Sequence, residues 1–145
     1  MDFEPLRVVI DTNVMVAAFR SPRGASAAIL RAVRAGQVLM VCNPPLFPEY
    51  EQVLKRPLHL TAAGVTEAEI DEALDVLAGL LIPAPKSRTE RPRLPDPDDE
   101  MVLEAAEFGA PDAIVTFETP TFAAAGRVLQ IAILTPGQFI ARLKS

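Results

Sequence analysis

Carboxylates occur at four points of this chain where they can act together. Asp11 follows the aliphatic run Leu6-Arg7-Val8-Val9-Ile10, and Glu49 follows the apolar Val38 to Cys42. Asp96, Asp98 and Asp99 crowd into Asp96-Pro97-Asp98-Asp99, and Glu118 lies just past Ala113-Ile114-Val115-Thr116. Several carboxylates on one rim ligate Mg²⁺ or Mn²⁺, hard ions that prefer oxygen and keep several waters for chemistry. One such ion, or a pair about 4 Å apart, activates a water and stabilises the charge building on a phosphodiester during displacement. Each acid also has a plainer reading. Asp11 and Asn13 suit a helix cap, Asp96 to Asp99 suit a loop and cap favoured by the helix dipole, and Glu49 suits an ordinary helix surface. A common location, not any single residue, makes the set informative.

That location depends on the elements between the acids. Leu6 to Ile10 reads as a buried strand, and Asp11-Thr12-Asn13 as the start of a helix over Val14 to Phe19. Ser21-Pro22-Arg23-Gly24 interrupts, and a second helix runs from Ser26 to Ala35, where Gly36 stops it. Val38 to Cys42 is the next strand. Asn43-Pro44-Pro45 signals a helix carrying Glu49, Tyr50, Val53 and Leu54, with Pro48 either delaying its start by a turn or kinking it. Thr66 to Glu69, close to a capping box, opens a helix reaching Leu80, and Leu81-Ile82-Pro83 reads as a short strand. Ala84 to Pro97 is polar and Pro-rich and reads as a surface loop. Asp98 to Phe108 is helical, Ala113 to Thr116 and Ile131 to Leu134 are strands, and Thr135-Pro136 starts a final helix. That order has no hairpin signal between strands. It implies right-handed crossovers, a parallel sheet covered on both faces, and a site at the carboxyl ends of its strands.

Composition narrows the chemistry. At 145 residues the chain suits one domain spanning residues 1–145, and its 50% hydrophobic content, without Trp, suits helices on an aliphatic sheet. Cys42 is the only cysteine, so an internal disulfide and a cysteine-based zinc site are excluded, and a reducing cytoplasm fits. The acidic start Met1-Asp2-Phe3-Glu4 and the lack of a long apolar run signal neither export nor membrane insertion. A net charge of −5 argues against a plain nucleic-acid-binding module, but less against a metal nuclease whose own acids are neutralised by cations. Gly-x-Ser-x-Gly, Gly-x-Gly-x-x-Gly and the P-loop are all missing, and His59, the only histidine, sits before a loop with no acid or nucleophile coupled to it.

In order along nearly the whole chain, several blocks together resemble the PIN-domain family, and within it the VapC-like toxins of bacterial toxin–antitoxin pairs. They are Val8-Val9-Ile10-Asp11-Thr12-Asn13-Val14, Ser21 to Gly24, Pro45 to Tyr50, Asp96-Pro97-Asp98-Asp99, Ile114-Val115-Thr116, and Ile133 to Pro136 with Phe139. The resemblance implies a Rossmann-like three-layer sandwich with a central parallel sheet of four to five strands. It implies that Asp11, Glu49 and Asp99 are the three core acids and that Asp96, Asp98 and Glu118 are further metal ligands. Asn13 and Thr116 would orient the site. It also implies Mg²⁺ or Mn²⁺, single-stranded RNA as substrate, a homodimer and a cognate antitoxin. One block departs from the pattern. Close relatives carry Thr-Gly-Asp and then a second Asp with Leu-Leu, whereas this chain reads Thr116-Phe117-Glu118-Thr119-Pro120-Thr121-Phe122. The longer Glu arm and the loss of Gly put the fourth ligand in question, and Phe117 and Phe122 are left to stack on bases or to cover apolar surface.

Three functions compete on this reading. The first is an endoribonuclease using Asp11, Glu49 and Asp99, with Arg20, Arg23, Lys55 and Arg56 as local phosphate contacts or simply scattered surface charge. The second is a catalytically impaired PIN-like domain that serves as a binding or regulatory partner. The third, a phosphatase with Asp11 as nucleophile, needs a second Asp two residues on, where this chain has Asn13.

Overall fold

The computed structural model describes residues 4–84 and 94–144. The expected loop from Ala84 to Pro97 and the acidic N-terminus therefore lie largely outside the described residues. Five parallel strands form one sheet in the order β3-β2-β1-β4-β5. These are β1 (Leu6–Ile10), β2 (Val38–Cys42), β3 (Ile82–Pro83), β4 (Ala113–Val115) and β5 (Ala132–Leu134). Their sequences are nearly continuous aliphatic runs because helices cover the sheet; Val8, Val9, Ile10, Val41, Ile114 and Val115 are all fully buried.

The flanking helices are α1 (Thr12–Arg20), α2 (Ala25–Arg34), α3 (Leu46–Leu54), α4 (Pro57–Ala63), α5 (Glu67–Ala78), α6 (Pro97–Gly109), α7 (Thr119–Leu129) and α8 (Pro136–Lys144). The flanked parallel sheet is the α/β, Rossmann-like architecture expected from the strand–helix order. Helix α6 lies against β1, β2 and β4 and also touches α3 and α7, while α2 packs on β2 and α8. Pro48 falls at the third position of α3, inside the first turn, where no helical N–H is lost, so the helix starts at Leu46 without a break. Thr66 and Glu69 complete the capping box at α5: the Thr66 hydroxyl accepts from Glu69 N at 3.1 Å and Thr66 N donates to Glu69 Oε1 at 3.2 Å.

Two helices go beyond the order written from the sequence. Helix α4 has only seven residues, none buried, so it carries no apolar periodicity to read. Helix α7 follows β4 directly and buries Phe122 completely, which assigns that ring to the core, whereas Phe117 stays 51% exposed. Gly126 lets α7 lie on β5: an added Cβ would come within 2.6 Å of Ile133 Cγ1 and 2.9 Å of the Ile131 carbonyl oxygen. No helix among the described residues is long and apolar enough to cross a membrane.

Candidate metal centre

The site begins with strand register. Val8, Val9 and Ile10 of β1 pair with Ala113, Ile114 and Val115 of β4, so β1 and β4 end level. Asp11 N donates to the Val115 carbonyl at 3.0 Å and Thr116 N to the Leu134 carbonyl at 2.9 Å, extending the ladder by one residue at this rim. Asp11 and Thr116 thus emerge side by side, although 105 residues separate them. The Thr116 hydroxyl donates to Asp11 Oδ2 at 2.7 Å, and Thr12 N donates to Asp11 Oδ1 at 2.8 Å, so both carboxylate oxygens are aimed. Asp11 is accordingly the N-cap of α1, the plainer reading of it, and it also stands at the rim. Beneath it Tyr50, fully buried, donates its hydroxyl to the Ile10 carbonyl and fastens α3 to the end of β1.

Three carboxylates converge here. Ligand oxygens of Asp11, Asp99 and Glu118 all lie within 4.8 Å of one another. Asp99 comes from the first turn of α6 and Glu118 from the cap position of α7. The bend that returns Glu118 toward Asp11 is made by Thr116, whose hydroxyl accepts from Glu118 N at 2.9 Å. One hydroxyl therefore orients the buried acid and the loop carrying the exposed one.

The remaining acids form a neighbouring group. The Asp96 side chain caps α6 by accepting from Asp98 N at 2.9 Å, which is the capping role open to it from the sequence. Glu49, half-buried on α3, lies outside the trio and next to Asp98, with Asp96 in electrostatic range. Asn13 is half-buried, and its Oδ1 is buried without a hydrogen-bond partner. Adjacent Asp98 and Asp99 face different partners because helical geometry separates neighbours by about 100°.

Electrostatics mark the trio as a place that wants positive charge. Burial pushes the Asp11 carboxyl above its ordinary value, the Thr116 and Thr12 hydrogen bonds pull it down, and Glu118 pushes it up again. Asp99 is raised to about 6, first by burial and then by Asp11, Asp96, Glu118 and Asp98. Glu49 is raised by burial and then by Asp98, with Arg56 opposing. Hard oxygen donors at this spacing, held against mutual repulsion, match what Mg²⁺ or Mn²⁺ takes as ligands. Sulfur plays no part: Cys42 is buried, and its thiol is pushed up to about 12.

No curated protein matches the chain. The family model described as PIN domain matches residues 7–119, which takes in all but the first residue of β1, with Asp11, Glu49, Asp99 and Glu118, as well as most of the sheet. The chain belongs to the PIN-domain family, whose members are generally metal-dependent nucleases.

Proposed function

We propose that the protein is an endoribonuclease that uses Mg²⁺ or Mn²⁺ to cleave single-stranded RNA, and that it works as the toxin of a toxin–antitoxin pair. The observation that carries this reading is the convergence of Asp11, Asp99 and Glu118 at the carboxyl end of a parallel sheet. These three residues would hold the ion, with Glu49, Asp96 and Asp98 alongside as further ligands, directly or through water. Bound there, the ion supplies Lewis acidity toward a phosphodiester oxygen and a means of activating water. Asp11 is the fixed member, since two hydrogen bonds and its place on the central strand leave it one orientation. Thr116 positions Asp11 and Glu118 together, and Asn13 orients the rim beside them. Asp99 and Glu118 stand on helix starts at the open side of the site, where an extended strand of RNA has access.

Glu118 bears on the competing view, a PIN-like domain without catalysis. That view draws on the departure of Phe117-Glu118 from the usual Thr-Gly-Asp. Its longer arm nevertheless reaches the same 4.8 Å set as Asp11 and Asp99, which favours a working ligand shell. The toxin role, the antitoxin partner, a homodimer and a cytoplasmic location rest on the resemblance to VapC-like chains and form part of the proposal.

The deciding experiment compares Mn²⁺-dependent cleavage of a single-stranded RNA by the native chain and by Asp11→Asn. Loss of cleavage in the variant, with its fold intact by circular dichroism, supports the assignment. A pure, folded Asp11→Asn protein that cuts RNA as fast as the parent refutes it.

A further inference from the structure

Beside the acid trio lies a cavity of about 390 Å³ whose wall includes Thr12, Asn13, Arg20, Arg56, His59 and Asp98. Thr12 and Asp98 are the immediate neighbours of Asp11 and Asp99, so this cavity adjoins the candidate metal centre. Its charge is opposite in sign. Arg20 ends α1 and Arg56 caps α4, and both guanidinium groups act on the same His59 imidazole, which burial and these two charges hold below its ordinary value. Like charges on the wall of one cavity repel, and an anion bound between them lowers that repulsion.

The other candidate cations are otherwise engaged or elsewhere. Lys55 is committed to Glu51 at 2.8 Å and Asp71 at 2.5 Å. Arg23 does not line the cavity. Arg20 and Arg56 form no ion pair among the described residues, and Arg56 stands in electrostatic range of Glu49 without bonding to it. The structure thus holds an acidic rim for a cation and, one residue away along both α1 and α6, a basic hollow with unpaired guanidiniums.

We infer that this hollow is a phosphate subsite: Arg20 and Arg56 together grip a backbone phosphate of a single-stranded RNA next to the phosphodiester presented to the acids. The subsite rests on the nuclease reading for the identity of its ligand. Guanidinium forks suit phosphate oxygens, and a contact outside the reacting bond fixes the strand's register without reading its bases. It also explains how a chain of net charge −5 holds a polyanion, through two local contacts and not through its overall field.

The test is binding of a fluorescently labelled single-stranded RNA 12-mer in Mg²⁺ across a series of KCl concentrations. Asp11→Asn is present in every protein so that the strand stays whole. Adding Arg20→Ala with Arg56→Ala removes two phosphate contacts. The slope of log K against log salt should then shallow by about 1.4, and affinity at about 0.1 M salt should fall by about 25-fold. The pair Arg20→Lys with Arg56→Lys keeps the charge and should keep most of the slope. Arg31→Ala with Arg34→Ala on α2 removes equal charge away from the cavity and should leave the slope unchanged. The proposal is overturned if the Arg20 and Arg56 double variant binds with the parental slope, if the α2 pair lowers the slope equally, or if the parent binds no RNA. The two readings fail separately. Arginine-dependent binding by a chain that cuts nothing with Mn²⁺ sinks the nuclease and spares the subsite, whereas cutting with arginine-independent binding does the reverse.

Discussion

Thr116→Val tests the centre at its most exactly placed atom. The substitution keeps the β-branched shape in a fully buried position and removes only the hydroxyl. That hydroxyl donates to Asp11 Oδ2 at 2.7 Å and accepts from Glu118 N at 2.9 Å, so one atom serves two candidate ligands. A hydrogen bond to a charged group contributes about 1.5 to 3 kcal/mol. The Glu118 end costs less, because Glu118 is exposed and water replaces the lost acceptor. The bond favours the ionised Asp11, the form that binds a cation, so its loss falls on metal affinity. At about 1.4 kcal/mol per tenfold, Mn²⁺ binding should weaken by about 10- to 150-fold. The sign of the pH effect follows. Without the bond the Asp11 carboxyl rises further, protons compete better, and the loss should grow as pH falls. Titration calorimetry with Mn²⁺ on the parent, Thr116→Val and Thr116→Ser reads this directly, with Ser retaining the hydroxyl and most of the affinity. A Val variant that binds Mn²⁺ within about twofold of the parent would refute the role given to Thr116.

Three further outcomes are expected. Asp99, raised to about 6 in the folded chain against 3.8 ordinarily, holds its proton more tightly when folded. Its contribution to the metal-free protein is therefore greatest at acid pH and is lost as pH rises from about 4 to about 6, so Asp99→Asn should flatten the fall in melting temperature over that window. The same slope in parent and variant would contradict the cause assigned to the shift. Glu118→Gln should weaken Mn²⁺ binding more than Glu49→Gln, since only Glu118 belongs to the close trio, and calorimetry giving the reverse order would move the centre toward Asp98. Gly126→Ala should destabilise by about 1 to 3 kcal/mol in urea titrations, because one of the atoms it meets is the Ile131 carbonyl oxygen, which repacking of side chains cannot move.

The strands were legible because a parallel sheet under helices demands continuous aliphatic runs, and Val8-Val9-Ile10 and Ala113-Ile114-Val115 are such runs. Asp11 at the end of one of them drew attention for the same reason. Helix α4 was hidden because it buries no residue, and α7 because only Phe122 and Gly126 of its eleven residues are buried, too few for a helical apolar period. The partition of the acids was also hidden. Asp98 and Asp99 are equivalent in composition, and only the azimuth of α6 decides that one meets Glu49 and the other Asp11. The reach of Glu118 depends on a bend made by a side-chain hydroxyl two residues earlier, a tertiary detail with no periodic signature. Arg20 and Arg56 looked like scattered charge because 35 positions lie between them, and the meeting of α1 with α4 is what joins them.

The adjacency of Asp11 and Thr116 has a consequence during synthesis. Asp11 is made before the hydroxyl that aims it, and that hydroxyl and the Glu118 beside it arrive 105 and more residues later. At about 5 to 20 residues per second, Asp11 waits for about 5 to 20 s, and closing so long a loop is itself slow. A nascent chain therefore carries Asp11 without its two partners until the segment through Glu118 has been made.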